Sequence, residues 1–433
     1  MKKIIIAAAV VFGFHAGLIA QVQNNIGGKP TAALSVFIDS AYLNSPVIKD
    51  NENKIKYAQL SLKQSVAELA SPKVFLASEV LFAPYLNNGA KIITAYPSEK
   101  ALGYDVGITN GGLYSATANA SLPLLTSAGK KAYNEQSAAQ TESLNNQIEL
   151  TKHDIEQQVT HQYISCYVSQ LQMTYIRQAI SLLADQKAIV KDLVNSGLAK
   201  QSDYLLMDIE IQNQQISFTQ LQSEYASAFL QLKTLCGMKD SSIMPVEAPV
   251  IPISSLNENS KFLKIYETDS LQIMASQHVF DLKYKPSLNL YANGGLNAVE
   301  LPGIQRKFGV SAGLTFNWMI YDGKQKRMEQ QKNALLLNSS ENYKTGFIRQ
   351  HELKKQNTLK EISNLDKLIL QKKQQLNGFV QLLQLYKVQL GQGQLSVIDY
   401  LNTVKNYLSL QSDIALSETN RMLIVNEYNY LNW

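Results

Sequence analysis

Two matching stretches decide the fold of this chain: Gly197-Leu-Ala-Lys-Gln-Ser-Asp-Tyr-Leu205 and Gly393-Gln-Leu-Ser-Val-Ile-Asp-Tyr-Leu401, which begin 196 residues apart (393 − 197). In each, a glycine interrupts a long helical pattern, and an aspartate follows in the opening turn of the next helix. Glycine adopts the left-handed conformation that ends a helix, and a carboxylate near a helix N-terminus interacts favourably with the helix dipole. We therefore predict tight helix–helix turns at Gly197 and Gly393.

A second pair of stretches recurs at nearly the same spacing. Residues 114–122 and 308–316 both alternate apolar and polar side chains, and each stretch soon reaches a Gly–Lys pair, at Gly129 and at Gly323, 194 residues apart (323 − 129). Alternation with a period of two is typical of a β-strand. Two signals of different kinds in the same order indicate an internal duplication, with Gly129 and Gly323 at the strand-to-helix junctions.

The N-terminus has the pattern of a secretory signal peptide. Lys2 and Lys3 precede an apolar run from Ile4 to Gly17, and the small Ala20 precedes Gln21. We predict a signal peptide over residues 1–20, with a membrane anchor as the alternative. No later segment approaches 18 consecutive apolar residues, so the sequence predicts no membrane-spanning helix.

The composition argues against nucleic-acid binding. Charged residues make up 17% of the chain and the net charge is +5, which falls to +3 without the two leader lysines (5 − 2). The basic residues are scattered rather than clustered on one stripe.

The mature chain divides into two repeats joined by a proline-containing linker. Each repeat is predicted to contain a helix, a β-hairpin and a long helical hairpin, with residues 21–33 as a loose segment and residues 84–112 as a long loop. The predicted boundaries are 21–236 for the first repeat, 237–260 for the linker and 261–433 for the second repeat. The first repeat is predicted to be helical from 34 to 69, with a break at Ser45–Pro46, and to contain a β-hairpin at about 73–124. The β-hairpin of the second repeat is predicted at about 286–320.

The strand around Leu314 has the clearest alternation. Its apolar positions would face one side, and the small or polar residues between them would face the other. Strands of about 9–11 residues are long enough to cross a bilayer at a tilt. The candidate lipid-facing residues are Val310, Ala312, Leu314, Phe316 and Trp318. The alternative is a soluble sheet with one wet face.

Two stretches without proline, 129–197 and 323–393, are predicted to form very long helices. At 1.5 Å per residue each would extend roughly 100 Å. Their apolar residues recur at steps of four and three, which is typical of coiled coils.

Two cysteines, Cys166 and Cys236, lie on opposite sides of the Gly197 turn. In an antiparallel hairpin they would be offset by roughly 12 Å along the axis. Because a disulfide needs Cα atoms within about 7 Å, we expect free thiols.

Four strands per chain cannot close a barrel, since the smallest membrane barrels have about eight. Open strand edges are not tolerated in lipid. Several copies would therefore share one barrel, and three copies would give 12 strands.

The sequence resembles the TolC family of bacterial outer-membrane efflux proteins. The resemblance covers residues 34–433 and is most specific in the stretches Leu122–Lys130 and Phe316–Lys324 and in the two Gly-x5-Asp-Tyr-Leu turns. It implies a mixed, mainly α fold, in which a homotrimer forms a shared 12-stranded β-barrel in the outer membrane and a helical tunnel (an α-barrel) in the periplasm. It also implies a passive exit duct for small molecules, metal ions or proteins, docked to a periplasmic membrane-fusion adaptor and an inner-membrane pump.

The resemblance places Asp203 and Asp399 at the periplasmic tip of the tunnel. Carboxylate rings in pores select cations, and Asn402, one turn after Asp399, would be a second constriction residue. The alternative is that each aspartate only complements its helix dipole. A Tyr–Arg latch found in some family members is not expected, because Leu390 and Leu395 occupy those positions.

Enzymatic chemistry is not indicated by any motif. The sequence has no phosphate-binding glycine loop and no nucleophile elbow, and His153 and His161 lie too far apart on one helix to suggest a metal site. We expect no catalytic residue, no cofactor and no enzyme activity. A structural coiled-coil protein or an adaptor without a pore remains the alternative function.

Overall fold

A computed structural model describes residues 31–88, 91–94, 102, 112–257 and 259–433. The predicted signal peptide lies outside these residues. The helices are α1 (Leu34–Asn44), α2 (Pro46–Ala70), α3 (Ser127–Asn195), α4 (Gln201–Leu235), α5 (Lys264–Phe280), α6 (Gln325–Gly391) and α7 (Val397–Leu431). The strands are β1 (Lys73–Phe82), β2 (Tyr85–Asn88), β3 (Lys91–Thr94), β4 (Gly112–Pro123), β5 (Ser287–Ala298) and β6 (Phe308–Asn317). In the described ranges, no helix combines the length and apolar character needed to cross a membrane.

The predicted break at Ser45–Pro46 separates α1 from α2. The Ser45 hydroxyl accepts a hydrogen bond from the Ile48 backbone N–H at 3.4 Å, and Pro46 occupies the first helical position. Serine caps a helix N-terminus by satisfying an otherwise unpaired donor, and proline fits there because its missing N–H would have no partner.

Both predicted glycine turns are present and have the same geometry. Gly197 has φ of 75° and Gly393 has φ of 70°. The backbone N–H after each glycine donates to the carbonyl five residues back, at 2.8 Å after Gly197 and 2.9 Å after Gly393. This pattern is the Schellman motif, which satisfies the last carbonyls of a helix and reverses the chain.

The long helices form one layer in which α3 and α7 are the inner members. Near the turns, α3 packs against α4 and α7, and α7 packs against α6. Towards the strands, α2 and α5 flank α3, and α5 also packs on α6. The layer therefore has α2 and α4 on one flank and α6 on the other.

The N-terminal segment is less loose than predicted at its described end. Ala32 forms a parallel β-bridge with Val246 of the linker. The Tyr163 hydroxyl lies 2.8 Å from the Ala32 carbonyl and 2.9 Å from the Glu247 carbonyl. Tyr163 is buried beside Phe37, so α3 holds the segment and the linker together.

The two cysteines are free and buried, which confirms the predicted free thiols. Both belong to one apolar cluster with Phe37, Tyr163 and Phe229. Burial raises the pKa of the Cys166 thiol to about 12 and that of Cys236 to about 11. Because the thiolate is the reactive form, both cysteines should be inert near neutral pH.

We therefore expect maleimide at pH 7.5 to label neither cysteine in the folded protein. Labelling followed by intact mass should show no adduct before denaturation and two adducts after it. Fast labelling of the native protein would contradict the packing of this cluster.

The main sheet is antiparallel in the order β1-β4-β5-β6. The predicted hairpins correspond to the pairs β1–β4 and β5–β6. A third pairing, β4 with β5, joins the two hairpins and was not predicted. The segment 84–112 is also not a loop throughout, because β2 pairs with β3. The apolar Leu86 and Ile93 stand opposite each other there and favour a strand pair.

Candidate functional site

One face of the sheet is apolar across all four strands. On β6 this face carries Val310, Ala312, Leu314 and Phe316, and the cross-strand partners of Ala312 and Leu314 are Ala292 and Leu290. Directly opposed residues share a face, so the row continues through the corresponding residues of β4 and β1. These further residues are Ala118, Ala120, Leu122, Val74 and Leu76.

The opposite face is mostly polar. Ser311 stands opposite Asn293, which stands opposite Asn119. The Ser311 hydroxyl donates to the Asn293 side-chain oxygen at 2.8 Å, and the Asn119 amide donates to the Thr117 hydroxyl at 3.1 Å. The predicted alternation of β6 is therefore present in the neighbouring strands as well. On the polar face, Phe75 of β1 is an apolar exception.

The apolar face is not covered by any helix that the structure describes. Val310 is 80% exposed, Leu314 62% and Leu76 85%. A soluble sheet with one wet face would bury its apolar face against a core. Trp318, predicted to belong to the same strand, lies just beyond the end of β6 and is exposed.

The two strand-to-helix junctions differ in detail. Gly323 has φ of 70° and lies just before α6, as predicted. Asp322 accepts hydrogen bonds from the Lys326 backbone N–H at 2.7 Å and from the Tyr284 hydroxyl. The Tyr284 hydrogen bond lowers the Asp322 pKa.

Gly129 lies inside the first turn of α3, two residues after the helix begins, rather than at the junction itself. A β-carbon at Gly129 would approach the Leu69 side chain to 2.3 Å. A glycine at this position lets α2 pack closely on α3.

The two glycine turns lie at one end of the helical layer. The surrounding side chains come from both repeats and form a single apolar cluster, which we call the tip cluster. Its buried members are Leu183, Val190, Met207, Leu383, Leu390, Val397, Tyr400, Leu401 and Val404.

The predicted tip carboxylates both take part in hydrogen bonds at a helix N-terminus, but in different ways. The Asp203 carboxylate accepts from the Lys200 backbone N–H at 3.0 Å. The Asp399 carboxylate accepts from the Ser396 hydroxyl at 2.8 Å, and the same hydroxyl accepts from the Asp399 backbone N–H at 3.1 Å. Asp203 thus satisfies a backbone N–H at the start of α4, whereas at the start of α7 the cap is Ser396 and the Asp399 carboxylate holds its hydroxyl.

The tip residues differ in exposure. Asp399 and Asn402 are exposed one turn apart on α7, whereas Asp203 is half-buried on α4. The cap therefore explains the position of each aspartate in the sequence, and it leaves the Asp399 and Asn402 side chains accessible on one helix.

Comparison with known structures identifies the fold. The solved structure of the outer-membrane channel OprN superposes with a TM-score of 0.67 at 15% identity, covering 92% of this chain and 89% of that one. CusC, whose structures describe folding and transmembrane channel formation, superposes with a TM-score of 0.68 at 12% identity, covering 92% and 91%. The outer-membrane protein VceC from Vibrio cholerae gives 0.66 at 13%, covering 92% and 96%.

The chain has the TolC-like channel fold. Scans of protein-family models and of curated protein sequences gave no match. The likeness therefore extends over nearly the whole chain in structure, at an identity too low for sequence comparison to detect.

Within the TolC-like fold, one ion pair near the tip was not predicted. Lys405 on α7 lies 3.0 Å from the Glu210 carboxylate on α4, and Glu210 is almost fully buried. Glu210 also accepts from Gln214 at 2.9 Å. The pair joins α4 to α7, and no local sequence pattern indicates a contact between residues so far apart.

His153 takes part in helix packing. His153 stacks on Tyr430 and Trp433, and its Nε2 lies 2.9 Å from the Tyr430 carbonyl. Burial lowers the His153 pKa. In the part of the chain that the structure describes, no group of three or more potential metal ligands is brought together.

Proposed function

We propose that the chain is the protomer of a passive outer-membrane channel, the exit duct of a tripartite efflux or type I secretion system. The observation that carries this proposal is the uncovered apolar face of a four-stranded sheet with polar residues on its other face. Lipid would cover the apolar face through Val310, Ala312, Leu314 and Phe316, and the polar face would line the lumen.

The open edges of the sheet support a homotrimer. Among the residues that the structure describes, β1 and β6 each pair on one side only. Unpaired backbone groups in hydrocarbon are costly, so the edges must be paired by other copies. Three copies of this sheet would supply a 12-stranded barrel, an even number in the range of membrane barrels.

The helical layer would continue the barrel into the periplasm. Helix α3 has 69 residues, which corresponds to roughly 100 Å. A duct without an energy source of its own needs an inner-membrane pump, reached through a periplasmic membrane-fusion adaptor, as the family resemblance implies. The recurrence of both turns and both strand pairs supports an origin by internal duplication.

Channel recording and fractionation test this function. The purified protein should occur in the outer-membrane fraction, form heat-sensitive oligomers that cross-link as a threefold ladder, and conduct ions in planar bilayers. A soluble, non-conducting protein would favour the alternative of a structural coiled-coil or adaptor protein. A stable monomeric pore would refute the shared barrel.

We further propose that Asp399, with Asn402 beside it, forms the cation-selective constriction at the periplasmic end, and that Asp203 contributes less. Asp399→Ala should reduce cation preference and block by divalent cations in single-channel recordings, since three converging carboxylates attract cations. Loss of the interaction between the Asp399 carboxylate and the dipole of helix α7 alone would cost about 0.3–1 kcal/mol.

Asp203→Ala is the comparison, because Asp203 occupies the corresponding position in the first turn of α4. Its effect on ion block should be smaller. Unchanged conductance and ion block in Asp399→Ala would restrict Asp399 to its capping role.

A further inference from the structure

The helical hairpins α3–α4 and α6–α7 correspond residue by residue on both sides of their turns. Helices α4 and α7 both have 35 residues and begin four residues after their turn glycines (201 − 197 and 397 − 393). Helices α3 and α6 both end two residues before those glycines (197 − 195 and 393 − 391). A shift of 196 residues therefore pairs each position of one hairpin with a position of the other.

Two ion pairs join α6 to α7. The Lys373 Nζ lies 2.6 Å from the Glu418 carboxylate, and the Arg421 guanidinium donates to the Asp366 carboxylate. The group contains two cations and two anions, so its charges cancel.

The corresponding positions on α3 and α4 keep one of these four charges. Under the shift, Asp366 corresponds to Gln170, Lys373 to Arg177, Glu418 to Gln222 and Arg421 to Tyr225. Both carboxylates are thus replaced by uncharged amides. Arg177 is exposed and forms no ion pair with any residue that the structure describes. The α3–α4 hairpin therefore has an uncompensated positive charge where the α6–α7 hairpin is neutral.

Gln170 and Tyr225 bind the linker instead of each other. The Gln170 amide donates to the Val246 carbonyl, and its side-chain oxygen accepts from the Val246 backbone N–H, both at 2.8 Å. The Tyr225 hydroxyl donates to the Met244 carbonyl at 2.5 Å. The linker is therefore fixed beside the groove between α3 and α4 and forms one of its walls.

A cavity of about 580 Å³ lies between α3, α4 and the linker. Most of its lining is apolar, and Arg177 is the one charged residue among the described lining residues. The apolar members that the argument uses are Met173, Phe218 and Met244. Small-molecule sites in proteins have volumes of roughly 300–1,000 Å³ and combine apolar walls with a few polar groups. The volume and the lining therefore fit a small molecule better than a protein segment.

The Arg177 side chain is oriented by its neighbour on α4. Its guanidinium carbon lies 5.2 Å from the centre of the Phe218 ring. A guanidinium held over an aromatic face is partly fixed before binding, so less conformational freedom is lost when its N–H groups bind a carboxylate. Gln222 also lines the cavity and brings no competing negative charge.

We propose that this cavity binds a small amphipathic carboxylic acid, whose carboxylate pairs with Arg177 as the Glu418 carboxylate pairs with Lys373. The apolar body of the acid lies against Met173, Phe218 and Met244 and is removed from water. The site belongs to a helical hairpin and the linker, not to the sheet, so it goes beyond the channel function and does not depend on it.

Photolabelling with para-benzoylbenzoate tests the site. The probe carries a carboxylate on a benzophenone, whose photoexcited ketone bonds preferentially to nearby methionine side chains. Peptide mass spectrometry of the purified protein should find adducts at Met173 or Met244 that saturate with probe concentration and are displaced by octanoate. The exposed Met328 on α6 reports non-specific labelling. The uncharged analogue para-benzoylbenzamide should label the cavity about tenfold less, because it lacks the charge-assisted hydrogen bond.

Two variants change the charge of the site without altering its apolar lining. Arg177→Gln should weaken labelling at the two methionines about tenfold or more, because the cation is lost. Gln222→Glu should weaken it similarly although Arg177 is still present, because the new carboxylate would pair with Arg177 as Glu418 pairs with Lys373.

Each variant has a matched control. Lys373→Gln removes the corresponding cation of the other hairpin. Gln220→Glu adds the same negative charge to α4, but about 200° around the helix from residue 222. Both controls should be labelled like the wild-type protein.

The outcomes decide the proposal. Equal labelling by the acid and the amide would show an apolar groove without a carboxylate site and overturn it. Unchanged labelling of Arg177→Gln or of Gln222→Glu would overturn it as well, and no labelling at either methionine would refute a small-molecule site. Conductance of the same preparations tests the channel separately, so the two proposals can fail independently.

Discussion

Leu314→Arg is expected to abolish assembly of the protein in the membrane. Leu314 lies on the apolar face of β6 opposite Leu290, and this face has no helix over it within the described structure. An arginine near the bilayer midplane costs about 2–4 kcal/mol in a membrane barrel. In a homotrimer the substitution occurs three times, so detergent-resistant, heat-sensitive trimers should disappear from the outer-membrane fraction.

Thr315→Arg is the matched control for this prediction. Thr315 is the next residue on the same strand and faces the polar side, opposite Asn289. An arginine there would point into the lumen, so trimers should form and only the conductance should change. Full assembly of Leu314→Arg would contradict the placement of β6 in lipid.

Gly295→Val is expected to prevent β4 and β5 from pairing. Gly295 has φ of 156°, and a β-carbon there would lie 2.2 Å from the Ala116 carbonyl oxygen and 2.7 Å from the Thr117 Cα. Both atoms are backbone atoms of β4, so they cannot rotate away. The loss of stability should exceed about 4 kcal/mol, a size reserved for severe steric or packing defects.

Gly309→Val provides the control within the same row of the sheet. Gly309 is the cross-strand partner of Gly295, and a β-carbon there would meet nothing within 4 Å. Urea unfolding and trimer yield should be nearly unchanged for Gly309→Val and strongly reduced for Gly295→Val. Equal behaviour of the two variants would show that the close contact between β4 and β5 is not maintained.

The sequence predicted the elements whose signals are local. The turns at Gly197 and Gly393 follow from the conformational freedom of glycine, and the face of β6 follows from alternation. The lengths of α3 and α6 follow from uninterrupted helical patterns. Each of these features is determined within a few turns of chain.

The contacts between distant segments could not be predicted. The pairing of β4 with β5, the bridge of Ala32 to Val246 and the ion pair of Glu210 with Lys405 each join residues far apart in the chain. Local periodicity carries no information about such partners. The small β2–β3 hairpin was missed because its strands are short.

The candidate site could likewise be predicted only where its signals are local. The spacing from glycine to aspartate located Asp203 and Asp399 in the first turns of α4 and α7, where the structure places them. Whether copies bring Asp399 together depends on contacts between chains, which neither local pattern nor a single chain describes.

The pairing of β4 with β5 also determines when the sheet can be completed during biosynthesis. Tyr114 pairs with Ala298, so β4 must wait for 184 further residues before its partner exists (298 − 114). Until then the first hairpin carries an unpaired edge beside an apolar face, a combination that promotes aggregation. A nascent chain of this protein is therefore exposed to aggregation through the synthesis of its second half.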